Sequence, residues 1–203
     1  ELLEAFRTGG ISTEGQRGPH LLGHLAHTGL VVLSGRTEYA LLAEHVPEPR
    51  ELGPDAAAAE LALRYFTGHG PATVRDLAWW SGLPLGAVRA ATERVRDRID
   101  ALEVDGVVHY LRPGLEPAMP AVHALPGFDE YLLGYTDRTA ALAPEHADAI
   151  VPGGNGMFLP TVVARGAVVG TWRRERGRRV RVSLEPFAPL SATVERGFAR
   201  ALR

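Results

Sequence analysis

Four residues near the C-terminus have the types and spacing to bind a polyanion: Trp172, Arg174, Arg179 and Arg181. A guanidinium offers a planar fork of N–H donors that matches phosphate oxygens two at a time, and an indole offers a face for a base or a second cation. If Arg176-Gly177 forms a turn, Glu175 faces Arg178, Arg174 faces Arg179 and Trp172 faces Arg181, so that three arginines and the tryptophan share one side. The competing reading is edge protection, with the charges keeping an exposed hairpin soluble while Val180, Val182 and Leu184 face a core. The first reading predicts that Arg179→Ala combined with Arg181→Ala weakens nucleic-acid binding and flattens its salt dependence.

A second set lies near the other end. Arg17 and His20, with Gln16, stand near the start of a helical segment, where a helix entering a groove presents its base-contacting side chains. His20, His24 and His27 recur at i, i+4 and i+7 and share a helix face. That spacing admits a metal, yet the face has no carboxylate or thiolate, so the expectation is no metal and a histidine face turned to solvent or phosphate. Asp129 and Glu130 are adjacent and, in extended backbone, point to opposite sides, a poor acid–base pair. Asp137-Arg138 suits a turn anchor, and Trp79-Trp80 one ring in a core and one in a seam. Pro152-Gly153-Gly154-Asn155-Gly156 lacks the lysine and following helix of a nucleotide-phosphate loop. No residue is assigned a catalytic role.

Composition narrows the classes. The 203 residues are 45% hydrophobic and 23% charged, a globular balance. There is no cysteine, which excludes disulfides, zinc–thiolate sites and thiol nucleophiles and fits a reducing, cytoplasmic setting. Apolar runs such as Leu30 to Leu33 are too short to cross a bilayer, so no membrane partner is expected. All 22 cationic side chains are arginine, so no lysine Schiff base can form within the chain; a GC-rich codon bias would have the same effect. Residues 1–150 hold 12 arginines against 21 acids, a balance of −9, whereas residues 151–203 hold 10 against 3, a balance of +7. The chain opens at Glu1 within a helix-like pattern, and the expectation is a fragment whose upstream part lies outside it.

These side chains need elements to position them. Leu2, Leu3 and Phe6 have helical spacing up to Gly9-Gly10; Pro19 is placed to open a helix through Leu21, Leu22 and Leu25 that Gly29 closes; Leu30 to Leu33 and Glu38 to Leu42 pattern as strands. After a Pro-rich connector the same order returns. Asp55 is expected to cap a helix carrying Tyr65 and Phe66, Thr73 with Asp76 to box a helix over Val74 to Trp80, and Pro84 to open a third through Val95. Asp105-Gly106 then turns a hairpin between Ile99 to Val104 and Val107 to Leu111. Arg112 to Pro126 reads as irregular, followed by three strands over Met157 to Ala164, Ala167 to Glu175 and Arg178 to Glu185 and a helix near Leu190 to Leu202. The expected fold is α+β: two tandem winged helix-turn-helix modules, a partial one at 1–46 and a second at 55–111, and a mostly β domain at 125–203 with a terminal helix.

Three blocks extend this reading. Tyr65 to Thr73 leading to Asp76-Leu77-Ala78-Trp79-Trp80-Ser81-Gly82-Leu83, Leu125 to Tyr135 with Asp137-Arg138, and Asn155 to Thr161 followed by Val169 to Arg173 resemble a bacterial family of tandem winged-helix proteins. Its characterised members are DNA glycosylases that remove bulky alkylated bases and unhook interstrand crosslinks. The resemblance implies double-stranded DNA as partner, water as nucleophile, and neither metal nor redox cofactor. Those glycosylases use a glutamine-x-glutamine motif to hold the water, whereas this chain has one glutamine, Gln16, followed by Arg17-Gly18. The expectation is therefore a monomeric DNA-binding fragment, inactive alone, with DNA contacts at Arg17, His20, Trp172, Arg174, Arg179 and Arg181. The alternatives are a non-catalytic DNA-binding or regulatory protein and a protein-interaction scaffold.

Overall fold

A computed structural model describes residues 1–116, 118, 121–175 and 181–202, which divide between two units, Glu1–Leu52 and Gly53–Arg203. The first contains α1 (Leu2–Thr8), α2 (Arg17–His27), the antiparallel pair β1 (Val31–Leu33) and β2 (Tyr39–Leu41), and the single turn α3 (Leu42–His45). Its core is small, with Leu22 the one buried large apolar side chain among the described residues of this unit. Gly18 is also buried: a Cβ there would lie 2.7 Å from Leu3 Cδ2, so glycine is what lets α1 approach α2. The helix α2 begins at Arg17, two residues ahead of the expected Pro19 start. A proline in the first turn forfeits only an N–H that has no intrahelical acceptor, so it need not be the opening residue.

The second unit starts with α4 (Pro54–His69), α5 (Val74–Ser81) and α6 (Leu85–Glu93), followed by β3 (Asp100–Val104) and β4 (Val107–Leu111). Gly53 is the N-cap of α4 with Pro54 behind it, so Asp55 sits in the first turn, where a carboxylate still opposes the positive helix end, and is not the cap that was expected. The helix α6 likewise ends at Glu93, short of Val95, whose buried side chain still joins the core. Positive φ at Asp105 (51°) and Gly106 (76°) closes the β3–β4 hairpin in the turn that two-residue loops favour. Tyr65, Phe66, Leu77, Val88, Ala91, Val95 and Ile99 are buried together beneath these elements.

The rest of the unit is a four-stranded antiparallel sheet of β5 (His123–Leu125), β6 (Thr161–Ala164), β7 (Ala167–Glu175) and β8 (Arg181–Pro186), in that spatial order. The turns α7 (Glu130–Leu133) and α8 (Ala147–Ile150) lie between β5 and β6, and α9 (Ala192–Ala201) closes the chain behind a Ser191 cap. Leu132, Leu142, Ile150, Val163 and Val168 form a second core. β5 lies in the stretch expected to be irregular: three residues between prolines carry no periodic signal, and what makes them a strand is pairing with β6, where Ala124 faces Val162.

The β7–β8 register also differs from the expected one. Glu175 stands opposite Arg181, Arg174 opposite Val182 and Trp172 opposite Leu184. Register follows side-chain packing more than a turn dipeptide. Trp172 and Leu184 pair on one face, and Gly170 lets Pro186 close in, since a Cβ on it would lie 2.5 Å from Glu185 O. The proposed Arg176-Gly177 turn, with Arg178, Arg179 and Val180, lies outside the described residues. Helices and antiparallel sheets are segregated along the chain, an α+β arrangement. No helix among the described residues is long and apolar enough to cross a membrane.

Candidate functional site

In the first unit, Arg17 is the opening residue of α2 and His20 follows on the same helix, both exposed. His24 and His27 are exposed too, and His27 Nδ1 lies 2.7 Å from Gly23 O, within its own helix. No group of three or more metal-ligating side chains is gathered among the described residues.

In the second unit, directly opposed residues of an antiparallel pair share a face, so the observed register separates the expected cluster. Arg174 falls on the face of Trp172, Val182 and Leu184, whereas Arg181 falls on the other, with Glu175, Arg173, Ser183 and Glu185. Trp172 is half-buried and committed to the fold: its Nε1–H donates to Leu125 O at 2.8 Å, and its ring meets Phe198 edge-on at 6.5 Å. It therefore does not stack on Arg181. Arg173 pairs with Glu185 across the strands at 2.7 Å, leaving Arg174 and Arg181 exposed and without a hydrogen bond or ion pair among the described residues. Arg179 lies outside the described residues.

The strongest geometry is a polar seam where α4 and α5 meet the segment 129–139. Thr73 and Asp76 form a reciprocal capping box: Thr73 N–H donates to Asp76 Oδ2 at 2.8 Å, and Asp76 N–H donates to Thr73 Oγ1 at 3.2 Å. The Thr73 hydroxyl also donates to Oδ2, at 2.7 Å. The other oxygen, Oδ1, accepts from the N–H and hydroxyl of Thr136 at 2.8 and 2.6 Å. Burial pushes the Asp76 carboxyl up, but these donors outweigh it and hold the group below its ordinary value. The box was legible from two residues three positions apart; the second role of Asp76 spans 60 residues and has no local signal.

Two tyrosines cross the seam in opposite directions. Tyr65 O–H donates to Gly134 O and Tyr135 O–H to His69 O, each at 2.6 Å. Burial first, then the nearby Asp76 carboxylate, raises both phenols, Tyr135 to about 12. Gly134 must stay small, because a Cβ on it would lie 2.8 Å from His69 Cδ2. Of the adjacent carboxylates, Asp129 keeps the expected extended backbone, whereas Glu130 opens the helical turn α7. Asp129 caps α7 by accepting from Tyr131 N–H at 2.9 Å, while Glu130 Oε2 accepts from Trp80 Nε1–H at 2.8 Å and lies 3.2 Å from His69 Nε2. His69 stacks on Tyr65 at 4.5 Å, and its Nδ1 is buried without a hydrogen-bond partner. His69, Glu130, Tyr135 and His123 line a cleft of about 420 Å³.

Neither tryptophan of the pair fills the core, since Trp79 is 49% and Trp80 37% exposed. The adjacent Leu77, with Tyr65 and Phe66, occupies that space. Asp137 does anchor a turn, accepting from Thr139 N–H and hydroxyl at 2.9 and 2.7 Å, contacts that lower its carboxyl. The Arg138 Nε–H donates to Leu132 O at 2.6 Å, and the guanidinium carbon lies 5.4 Å from the Trp79 ring centre and 5.2 Å from that of Phe158. Burial lowers this guanidinium from its usual value.

A family model described as DNA glycosylase AlkZ-like matches residues 1–203. The chain belongs to that family. Among curated proteins, the "Interstrand DNA cross-link repair glycosylase" of Streptomyces sahachiroi is 31% identical over 129 residues, covering 59% of this chain and 34% of that protein. Among solved structures, the Streptomyces sahachiroi DNA glycosylase AlkZ superposes with a TM-score of 0.72 at 25% identity, over 92% of this chain and 55% of that one. This AlkZ-like chain thus spans about a third of the curated relative's length and about half of the solved one's. The seam is built from the blocks that carried the resemblance, with Tyr65, Asp76 and Trp80 from the first and Glu130 and Tyr135 from the second.

Proposed function

We propose that this chain is the DNA-binding part of an AlkZ-like glycosylase, a protein that hydrolyses the N-glycosidic bond of bulky alkylated purines or crosslinked bases in duplex DNA. The carrying observation is the family match along residues 1–203. In the reaction, a water oxygen bonds to the sugar carbon, the carbon–nitrogen bond breaks, and the base departs with a proton, leaving an abasic site. No residue of this chain is assigned to hold that water, because its single glutamine, Gln16, has no partner glutamine two residues away. Its part is to bind and orient the duplex, without metal or redox cofactor, as a cytoplasmic monomer.

In this reading residues 1–46 and 55–111 are winged-helix modules and 125–203 a β-rich module, with the first and the last presenting cations to phosphates, while Glu93, Asp97, Asp100, Glu103 and Asp105 keep the second from doing so. Support comes from the two helix-then-hairpin orders, from the +7 balance of residues 151–203, and from the donors of Arg174 and Arg181, exposed and unengaged among the described residues. Arg17 and His20 at the start of α2 are the expected contacts of the first module. The test pairs two assays. The 203-residue chain should bind duplex DNA with an affinity that falls steeply with salt and should release no base. A longer protein that joins this chain to a glutamine-x-glutamine motif should generate abasic sites in alkylated duplex. The single glutamine favours one second reading, a non-catalytic DNA-binding or regulatory protein, which would bind but never release a base. Salt-independent failure to bind would leave a scaffold.

A further inference from the structure

The Arg138 side chain is fixed but its fork is open. Its Nε–H is used by Leu132 O, and the rings of Trp79 and Phe158 lie 5.4 and 5.2 Å from the guanidinium carbon. Its two terminal nitrogens have no hydrogen-bond partner among the described residues, and neither is sealed from solvent, since His69 Nδ1 alone is a buried, unpartnered side-chain polar atom there. The two terminal nitrogens carry four N–H groups that remain for an acceptor. Arg138 lines two clefts, one of about 570 Å³ with Tyr135 and His109, the other of about 720 Å³ with Phe158 and Gly154. Of the carboxylates lining these clefts, Asp76 accepts from Thr73 and Thr136, Asp137 from Thr139 and Asp148 from Gly153 N–H at 2.8 Å, while Asp105 stands at the β3–β4 turn. Aromatic surface continues past the cation, where Phe128 is 50% exposed and its ring centre lies 6.3 Å from that of Phe158.

We propose that Arg138 is a phosphodiester-binding residue, preorganised by Leu132 O, Trp79 and Phe158 to grip one backbone phosphate of a DNA strand while the neighbouring rings lie against its sugar and base. The inference rests on the reading of this chain as a DNA-binding one. An arginine with one donor fixed and two nitrogens free gives bidentate contact at little cost in side-chain order, which the exposed Arg174 and Arg181, held by no partner among the described residues, do not. It draws together one residue from each of three distant segments, Trp79, Arg138 and Phe158.

The test is duplex binding by the 203-residue chain across a salt series, with thermal melting of each variant. Arg138→Gln should weaken binding several-fold at low salt and reduce the slope of log K against log salt by about one, the loss of a single phosphate contact. Arg138→Lys should weaken binding yet keep the slope, since the charge remains. Arg64→Gln, on the exposed face of α4, should change neither. Inorganic phosphate should compete no better than chloride at equal ionic strength. A purely structural arginine would lower the melting temperature with Gln and Lys alike and leave both slopes intact, and that result overturns the proposal. Competition by free phosphate that disappears in Arg138→Gln would also overturn it, assigning a small-anion site. Absence of duplex binding by the unaltered chain would remove the underlying reading as well, which separates the two failures.

Discussion

The seam at α4, α5 and residues 129–139 and the β7–β8 ribbon are both rich in polar side chains, and they use them in opposite ways. In the seam nearly every donor and acceptor is matched inside the molecule: Asp76 accepts four hydrogen bonds, and Tyr65 and Tyr135 each cap a backbone carbonyl. In the ribbon Arg173 has an internal partner, while Arg174 and Arg181 have none among the described residues. Buried polar groups cost free energy unless paired, so pairing in the seam is a condition of folding. Exposed guanidinia remain hydrated whether or not a ligand arrives, so the ribbon can leave its donors available. Dense polar character therefore marks structure in one place and, in the proposed reading, recognition in the other, and the distinguishing variable is burial.

The contrast can be broken by mutation, and the largest effect belongs to the seam. Asp76→Asn replaces an acceptor-only group that faces four donors, so an amide N–H must face at least one of them, and the expected loss is about 2–3 kcal/mol of unfolding free energy by denaturant titration. The loss should depend on pH with a definite sign. The folded-state carboxyl lies below its ordinary value, so its stabilisation is complete above the unfolded value near about 4 and disappears as pH falls through the folded one. Wild-type and Asp76→Asn stabilities should therefore converge on acidification. A constant difference down to strongly acidic pH would show that Asp76 acts through packing alone.

Tyr135→Phe removes one phenol donor and leaves His69 O in its place without it; the expected cost is about 1 kcal/mol, read from the same titrations. Smallest in stability, and largest in binding, is the double change Arg174→Ala with Arg181→Ala. Melting should shift by less than about 0.5 kcal/mol equivalent, since both side chains are exposed and have no partner among the described residues. The salt slope of duplex binding should fall by about two if each arginine meets a phosphate. Destabilisation as large as that of Asp76→Asn would erase the distinction between the regions.

Legibility in the sequence followed the range of the interaction. The Thr73–Asp76 box, the Asp105-Gly106 turn and the helices over Tyr65 and Val88 are set by neighbours within a few residues, and each was readable. β5 was not, because three residues between prolines become a strand only by pairing with β6. The face shared by Trp172, Arg174 and Arg181 failed for a related reason: register was inferred from a turn dipeptide, while Gly170 beside Pro186 and Trp172 beneath Phe198 fix it from the far end. Glu130 was legible as a carboxylate but not as the acceptor of Trp80, 50 residues away. Arg138 read as a turn residue because its two ring neighbours lie in blocks separated from it in the chain.

The paired tyrosines carry a practical consequence. Each phenol leaves its own segment to satisfy a carbonyl on the other, as two buttons sewn on opposite flaps of a coat, so α4 and the segment 129–139 are fastened twice within residues 53–203. Cutting at the Pro-rich stretch after Leu111 would strand Tyr65 and His69 O on one piece and Tyr135 and Gly134 O on the other. Residues 53–203 should consequently melt in a single transition, and any angle that β7 and β8 adopt toward a duplex is inherited by α4 through α6.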